Sequence, residues 1–581
     1  MYVRQTLFSK GRSKVLFFLY IGVFILILVK LFNTQVINAN YWKSVADSQQ
    51  SGVSKVFSKR GEIYSSDGYP LALSVYSYEL IANPSVATNI SNSDIEKIYS
   101  IVYADSKNED KDKIIFEWKK LLNDRDKKFG YLAKDLNYEQ KQKINLLNIP
   151  YLSLNPIPSR SYPDTESYSH LLGFVGKDTQ GGFKGYFGVE GFYDGDLRGI
   201  DGFTISEKSA GGFPLLFKDF TSVDKKNGAD IVLTIDRNVQ TIAYEEIKNA
   251  VEKYKAKTAS VVIINPQNGE ITALANYPTF NPIEYGEHFL KNPDLFVNNV
   301  VSSTYEPGSI VKALTVASAI DLGLINENTI VDDSGPKQYS GYTVDNWDGK
   351  HHGQITATQV LELSNNIGAS DIGIMVGSHN LYDYFKKFGI SSKSGIDLEG
   401  EESGFMRDYS TWEDIDLVTA SFGQGLSVTP LQMASAFGAL ANKGVLYKPH
   451  IVVGAKIGSK IVSKQKVESS KVVSEKTADT LVKMLTSAAS SGEAKYFISK
   501  KYLIAGKTGT AQIAENGKYL ADETNATFVG FLPNYKEFVM LVKIEKPTSS
   551  VYASETAVPT WMNIAERLAS YYGFSPDKNA E

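Results

Sequence analysis

Ser309-Ile310-Val311-Lys312 sets a hydroxyl and an amine three residues apart. On a helix that spacing places both on one face, one turn apart. From Ser309 to Ile320 the chain reads SIVKALTVASAI, and Lys312 is its only charged residue. A charge on an apolar helix is costly unless it is paired or gives up its proton. Lysine titrates near 10.4, and desolvation or a nearby positive charge lowers that value. Bringing it near neutrality takes about 4 kcal/mol, within the range of buried lysines. A deprotonated Lys312 can then take the proton of Ser309, a poor nucleophile unaided. Standing alone, Lys312 reads more simply as a lysine that snorkels to solvent.

Two further motifs change that reading. Ser364-Asn365-Asn366 is S-x-N, and Lys507-Thr508-Gly509 is K-T-G, followed by Thr510. Each is weak singly, because the same chain carries decoys. Ser463 to Lys466 is another S-x-x-K, Ser378-His379-Asn380 another S-x-N, and Lys393-Ser394-Gly395 resembles K-T-G. Context separates the two sets. Pro307 and Gly308 can start a helix at Ser309, whereas Ser463 lies in a lysine-rich stretch. Ser364 sits in a helix-like run, TATQVLELSNNIGASDIGIMV, and Lys507 opens AGKTGTAQI, which can lie on a sheet edge. Roles follow from chemistry. Lys507 supplies a positive charge beside Lys312. Ser364 and Asn366 can hydrogen-bond Lys312 and relay its proton to a leaving amine. Backbone N–H groups of Ser309 and Thr510 can form an oxyanion hole. The Thr508 and Thr510 hydroxyls, with Lys507, suit a substrate carboxylate. The bland alternatives are an ordinary helix serine at 364 and strand-favouring threonines at 508 and 510.

These residues need a scaffold. LTIDRNVQTIAYEEIKNAVEKY has Asp236 as an N-cap and apolar residues at Val239, Ile242, Ala243, Ile247, Ala250 and Val251, which is helical spacing. Two apolar runs around Pro266-Gln267-Asn268-Gly269 predict a hairpin, as do ATFVGFL and FVMLVKIE around PNYKE. TAVPTWMNIAERLASYY reads as a closing helix. The expected fold is α+β, an antiparallel sheet packed with helices. Upstream, residues 33 to about 225 are polar with short strand-like pieces. Residues 181 to 199 read as a glycine-rich loop stretch, and 107 to 128 as a solvated, charged helical face.

Val15 to Val29 is uncharged, and Leu31 and Phe32 extend it past Lys30. Eighteen residues reach about 27 Å, close to the ~30 Å bilayer core. Arg4, Lys10, Arg12 and Lys14 precede the run, so the N-terminus is expected in the cytoplasm and the rest outside. The rival, a cleaved signal peptide, predicts a shorter apolar run ending in small residues. The 581 residues suit two to four domains. A net charge of -4 gives no sign of nucleic-acid binding, and zero cysteines exclude disulfides and thiolate chemistry. The adjacent pair His351-His352 diverges in any regular structure and reads as exposed loop histidines.

In this order, S-x-x-K, S-x-N and K-T-G resemble the penicillin-binding protein and serine β-lactamase superfamily. Arg60-Gly61-Glu62-Ile63 with Asp67-Gly68 and Leu71-Ala72 is similar to the N-terminal motif of class B penicillin-binding proteins. So are Arg160-Ser161-Tyr162-Pro163, His170-Leu171-Leu172-Gly173, Gly188-Val189-Glu190-Gly191 and the block 421 to 444. The sequence departs from the family where an Asp-Arg pair often stands, and Ser65-Ser66 occupy that place. The resemblance implies a multidomain chain: a cytoplasmic tail at 1–14, a transmembrane helix at 15–32, an elongated pedestal (dimerisation-like) domain at 33–225, a transpeptidase domain at 226–573 and a tail at 574–581.

It further implies a D,D-transpeptidase that cross-links peptidoglycan stem peptides. Ser309 is the expected nucleophile, with Lys312, Ser364, Asn366 and Lys507 as catalytic partners and Thr508, Gly509 and Thr510 binding substrate. β-Lactams are implied as inhibitors, and a membrane-embedded glycan polymerase and division proteins as partners. Neither metal nor organic cofactor is implied. The tail sequence resembles septal rather than elongation types. A D,D-carboxypeptidase or β-lactamase, a β-lactam sensor and a catalytically silent scaffold remain alternatives. The anchor and pedestal weigh against the hydrolases, the short segment before the anchor against the sensor, and the intact motifs against the scaffold.

Overall fold

The structure, a computed structural model, describes residues 10–42, 51–87, 91–104, 110–179, 182–207, 221–458, 460–463, 467–515 and 518–577. The expected tail residues 1–9 and 578–581, with Arg4, and decoy residues 464–466 lie outside them. The chain forms two compact units. The smaller holds the described residues up to Lys59 together with Gly199–Asn227. Its helix, Lys10–Phe32, exposes Val15 through Phe32 along its whole length. Among the described residues it overlaps the one span long and apolar enough to cross a membrane, Lys14–Ile37. An exposed apolar run of this length fits a single-pass membrane anchor. The same unit has a three-stranded antiparallel sheet of Ser51–Val56, Gly202–Glu207 and Thr221–Val223.

The larger unit, Arg60–Arg198 with Gly228 onward, carries every candidate site residue. At its centre is a five-stranded antiparallel sheet. In spatial order the strands are Ile271–Tyr277, Thr258–Ile264, Val539–Glu545, Lys518–Phe531 and Ala505–Glu515. The two hairpins read from sequence form four of these strands. Side chains alternate between the faces, as the period of two requires. Val261, Ile263, Phe528, Met540 and Val542 face helices Arg237–Tyr254 and Ala557–Tyr571, where Trp561 is wholly buried. Val262, Ile264, Val529 and Leu541 join the opposite core with Val311, Leu314 and Phe437. Each such fully buried side chain contributes about 1.5–3 kcal/mol. Asp236 caps its helix as expected, accepting from the Asn238 and Val239 N–H groups.

Three of the pedestal motifs, those of Arg60, Arg160 and Glu190, converge on one ion cluster. The wholly buried Glu190 carboxylate meets Arg60 at 2.6 Å and Arg160 at 2.7 Å, and Arg60 also reaches Asp194 at 2.7 Å. Arg160 Nη1 donates to the Gly61 carbonyl at 2.8 Å. Two guanidiniums on two carboxylates balance the charge, the condition under which buried ions are tolerated. Ser65 and Ser66, at the departure from the family pattern, donate their hydroxyls to the Asp67 carboxylate and the Ile235 carbonyl. The described part of that stretch, 182–199, holds more regular structure than a loop reading suggests. Phe183–Tyr186 pairs with Phe174–Lys177, and helical turns follow at Gly188–Phe192 and Asp194–Leu197. The charged stretch near 107 contains the helix Lys111–Asn123, which buries Ile115, Trp118 and Leu122.

Candidate active site

Ser309 stands in a 3-10 turn, Gly308–Val311, that feeds the helix Lys312–Asp321. The helix therefore starts at Lys312 rather than at Ser309. Gly308 has φ of 57° and donates to the Gly423 carbonyl at 3.0 Å, a backbone conformation that favours glycine. The edge strand Ala505–Glu515 packs on this turn. At Gly509 a Cβ would meet the Pro307 carbonyl oxygen at 2.9 Å and Ile310 Cγ2 at 3.0 Å, so the glycine sets how closely the strand approaches.

Lys312 is fully buried. Its Nζ contacts Ser309 Oγ at 3.0 Å, Asn366 Oδ1 at 2.7 Å and the Ser364 carbonyl. Two of these three partners only accept. A neutral amine has two hydrogens and one lone pair. Given to the amide and carbonyl oxygens, the hydrogens leave the lone pair facing Ser309 Oγ. Burial pushes the Lys312 ammonium well below its ordinary range, the charge of Lys507 adds to that, and Glu493 opposes it. The arrangement can thus remove a proton from Ser309 without a histidine.

Ser364 differs from the helical reading. The helix ends at Glu362, a second runs from Asn366 to Val376, and Ser364 between them has φ of 52°. Asn365 caps the second helix by accepting the Gly368 N–H. The break splits the functions of Ser364: its carbonyl serves Lys312, while its Oγ accepts Lys507 Nζ at 3.0 Å. Its hydroxyl was expected on Lys312. Lys507 is 3% exposed and also donates to the Thr508 carbonyl and Oγ1, each at 3.2 Å. Thr508 is buried, and its hydroxyl donates to Glu493 Oε2 at 2.8 Å. Thr510 Oγ1 accepts the Ala553 N–H at 3.0 Å, which leaves its own hydrogen to give. Ser309, Lys312, Ser364, Asn366, Lys507 and Thr508 thus form one hydrogen-bonded cluster, and Gly509 and Thr510 follow on the same strand.

The decoys do other things. Ser378 begins the helix Ser378–Lys387, and the Ser394 hydroxyl donates to Glu401 at 2.5 Å.

Sequence reasoning missed the support behind Asn366. Its Nδ2 donates to the Asp345 carbonyl at 3.0 Å, which turns Oδ1 toward Lys312. Its backbone N–H donates to Asn346 Oδ1 at 2.9 Å, and Asn346 Nδ2 donates to the wholly buried Asp333 at 2.7 Å. His351 and His352 are exposed loop residues, as expected, with His352 Nδ1 3.1 Å from the same carboxylate and His351 Nε2 2.9 Å from Asp345. Burial would raise the Asp333 carboxyl, but hydrogen bonds from Asn365, Asn346 and His352 outweigh it and hold it below the usual carboxylate range. Asn346→Ala removes the link. We expect about 1–3 kcal/mol lower stability and roughly tenfold slower acylation by a penicillin, read by melting and stopped-flow fluorescence. An unchanged acylation rate would show that Asn366 needs no such support.

Comparison with known proteins identifies the family. Residues 259–566 match the family described as penicillin binding protein transpeptidase domain, and residues 55–233 match the penicillin-binding protein dimerisation domain. The chain is 31% identical to "Stage V sporulation protein D" of Bacillus subtilis, over 98% of this chain and 87% of the relative. It is 30% identical to "Peptidoglycan D,D-transpeptidase FtsI" of Escherichia coli, over 94% and 89%. A crystal structure titled as a peptidoglycan synthetase from Bifidobacterium adolescentis superposes with a TM-score of 0.71 at 25% identity, covering 91% of this chain and 98% of that one.

Proposed function

The chain belongs to the class B penicillin-binding proteins, and from that premise we propose that it is a peptidoglycan D,D-transpeptidase working through an acyl-enzyme on Ser309. The carrying observation is the buried Lys312 amine, held by two carbonyl-type acceptors with its third contact on Ser309 Oγ. Ser309 Oγ attacks the carbonyl of the D-Ala-D-Ala bond, and Lys312 Nζ takes its proton. Backbone N–H groups of Ser309 and Thr510 receive the negative oxygen. The C–N bond breaks, the departing D-alanine amine receives the proton, and an ester to Ser309 remains. An amine from a second stem peptide then attacks that ester and restores the hydroxyl. Lys507 and the Thr510 hydroxyl hold the terminal carboxylate of the donor. β-Lactams, which carry a strained amide beside a carboxylate, acylate the same serine.

The proposed domain order is the one the resemblance implies, with the transpeptidase domain at about 226–573 and the anchor holding it on the outer face of the cytoplasmic membrane. The C-terminal sequence supports a septal rather than an elongation role, with a membrane-embedded glycan polymerase and division proteins as partners. The test uses full-length protein, a pentapeptide donor and an acceptor amine. D-Alanine release is expected with an equal amount of cross-linked product. Release with only hydrolysed donor would make the protein a carboxypeptidase. A fluorescent fusion absent from the division plane would remove the septal assignment.

A further inference from the structure

Behind the strand that carries Lys507, a carboxylate reaches the site from a segment with no motif. Glu493 follows the helix Glu475–Ser491. Its Oε2 accepts the Thr508 hydroxyl at 2.8 Å, the Thr508 oxygen accepts Lys507 Nζ at 3.2 Å, and Lys507 Nζ donates to Ser364 Oγ at 3.0 Å. A hydroxyl has one hydrogen. Thr508 gives it to Glu493 and turns its lone pairs toward Lys507. The chain therefore runs in one direction, from ammonium through hydroxyl to carboxylate. Lys312 has no such link, since its shell consists of a carbonyl, an amide oxygen and a hydroxyl.

We propose that Glu493 is a positioning residue that keeps Lys507 charged through Thr508, so that Lys312 is the member of the lysine pair that gives up its proton. The inference rests on the Ser309 acyl-transfer reading and adds how one site holds two lysines in opposite protonation states. Two neighbouring ammonium groups repel, so the site favours charging one of them. Burial lowers Lys507 and the attraction of Glu493 opposes that. For Lys312, burial and the Lys507 charge act together and outweigh the attraction of Glu493.

The other charged groups around the pair are engaged elsewhere. Glu362, at the end of the helix Ala357–Glu362, takes the Ser487 hydroxyl. The Asp345 carboxylate faces His351, and Asp333 faces His352 and Asn346. Lys543, on the strand Val539–Glu545, lies 3.5 Å from Glu545. A small cavity lined by Glu362, Glu493, Lys507 and Phe528 adjoins the relay.

Glu493→Gln tests this without changing the side chain's shape. The rate of Ser309 acylation by a penicillin should trace a bell against pH, with Lys312 on the acid limb and Lys507 on the alkaline limb. Removing the negative charge lowers the proton affinity of both lysines. Both limbs should therefore move to lower pH by about one unit. At pH 9 the variant should be up to about tenfold slower than wild type. Glu493→Asp keeps the charge and should keep the limbs in place. Unmoved limbs in Glu493→Gln overturn the proposal even if the rate is uniformly lower, because a lost hydrogen bond changes height and not position. A second readout needs no acylation. Competitive acetic anhydride labelling of Lys507 in the full chain, followed by mass spectrometry, should show its reactive form appearing at lower pH in Glu493→Gln. An unchanged Lys507 curve also overturns the proposal. Wild-type protein that takes no penicillin at Ser309 would end the acyl-transfer reading, and the Lys507 curve would still decide the role of Glu493.

Discussion

Ser309→Ala protein will fold and melt like wild type, and no penicillin will attach to it. The substitution removes one half-exposed oxygen and no buried group, so stability should stay within about 0.5 kcal/mol. Acylation should fall by at least ~1000-fold, since no covalent intermediate can form at alanine. The site contains a second serine–lysine contact that makes the experiment decisive. Ser364 Oγ lies 3.0 Å from Lys507 Nζ, as close as Ser309 lies to Lys312. The two pairs differ in access and charge. Ser364 is 2% exposed and accepts a hydrogen bond from Lys507, whereas Ser309 is only partly buried and faces the more strongly depressed lysine. Mass spectrometry of the wild-type adduct should place the acyl group on Ser309 alone. Labelling of Ser309→Ala at the wild-type rate, or an adduct on Ser364, would move the nucleophile to the other pair.

What the sequence reveals of this site is governed by range. The central sheet and its two flanking helices follow from local patterns: a capping aspartate at 236, alternation around the turn at 266–269, and the apolar period of the closing helix. The three motifs are local too. The break at Ser364 is not, because the apolar spacing continues from Val360 through Ile372 as if one helix ran through. The signal that was present is Asn365, a capping residue type at the start of the second helix. Asp333 and Asn346 lie 33 and 20 residues before Asn366, and Glu493 lies 14 residues before Lys507. Only folding brings them together, and no spacing rule links them. Arg60, Arg160 and Glu190 show the same limit. Each was legible as part of a motif, while the single ion cluster they form was not.

Lys312→Met separates the proton acceptor from the rest of the machinery. Methionine matches the unbranched shape of lysine and leaves Ser309 in place, so binding of the drug should persist. Acylation should fall by about 100- to 10,000-fold, the usual worth of a general base. The pH dependence gives the sharper reading. The active form of Lys312 is the neutral amine, so the wild-type rate drops as pH falls through its lowered pKa. That acid limb should vanish in Lys312→Met. Stability follows pH in the same direction. A lysine whose folded pKa is depressed weakens the fold most at low pH, where both states are protonated. The penalty lifts as pH rises toward the unfolded value near 10.4. Lys312→Met should remove that part of the slope, although the Ser364 carbonyl and Asn366 Oδ1 lose their donor, at a cost of about 1–3 kcal/mol. A variant that acylates within a factor of a few of wild type and keeps the acid limb would show that another group takes the Ser309 proton. The burial of Lys312 would then be structural, and the hydroxyl at 3.0 Å would be a neighbour rather than a reactant.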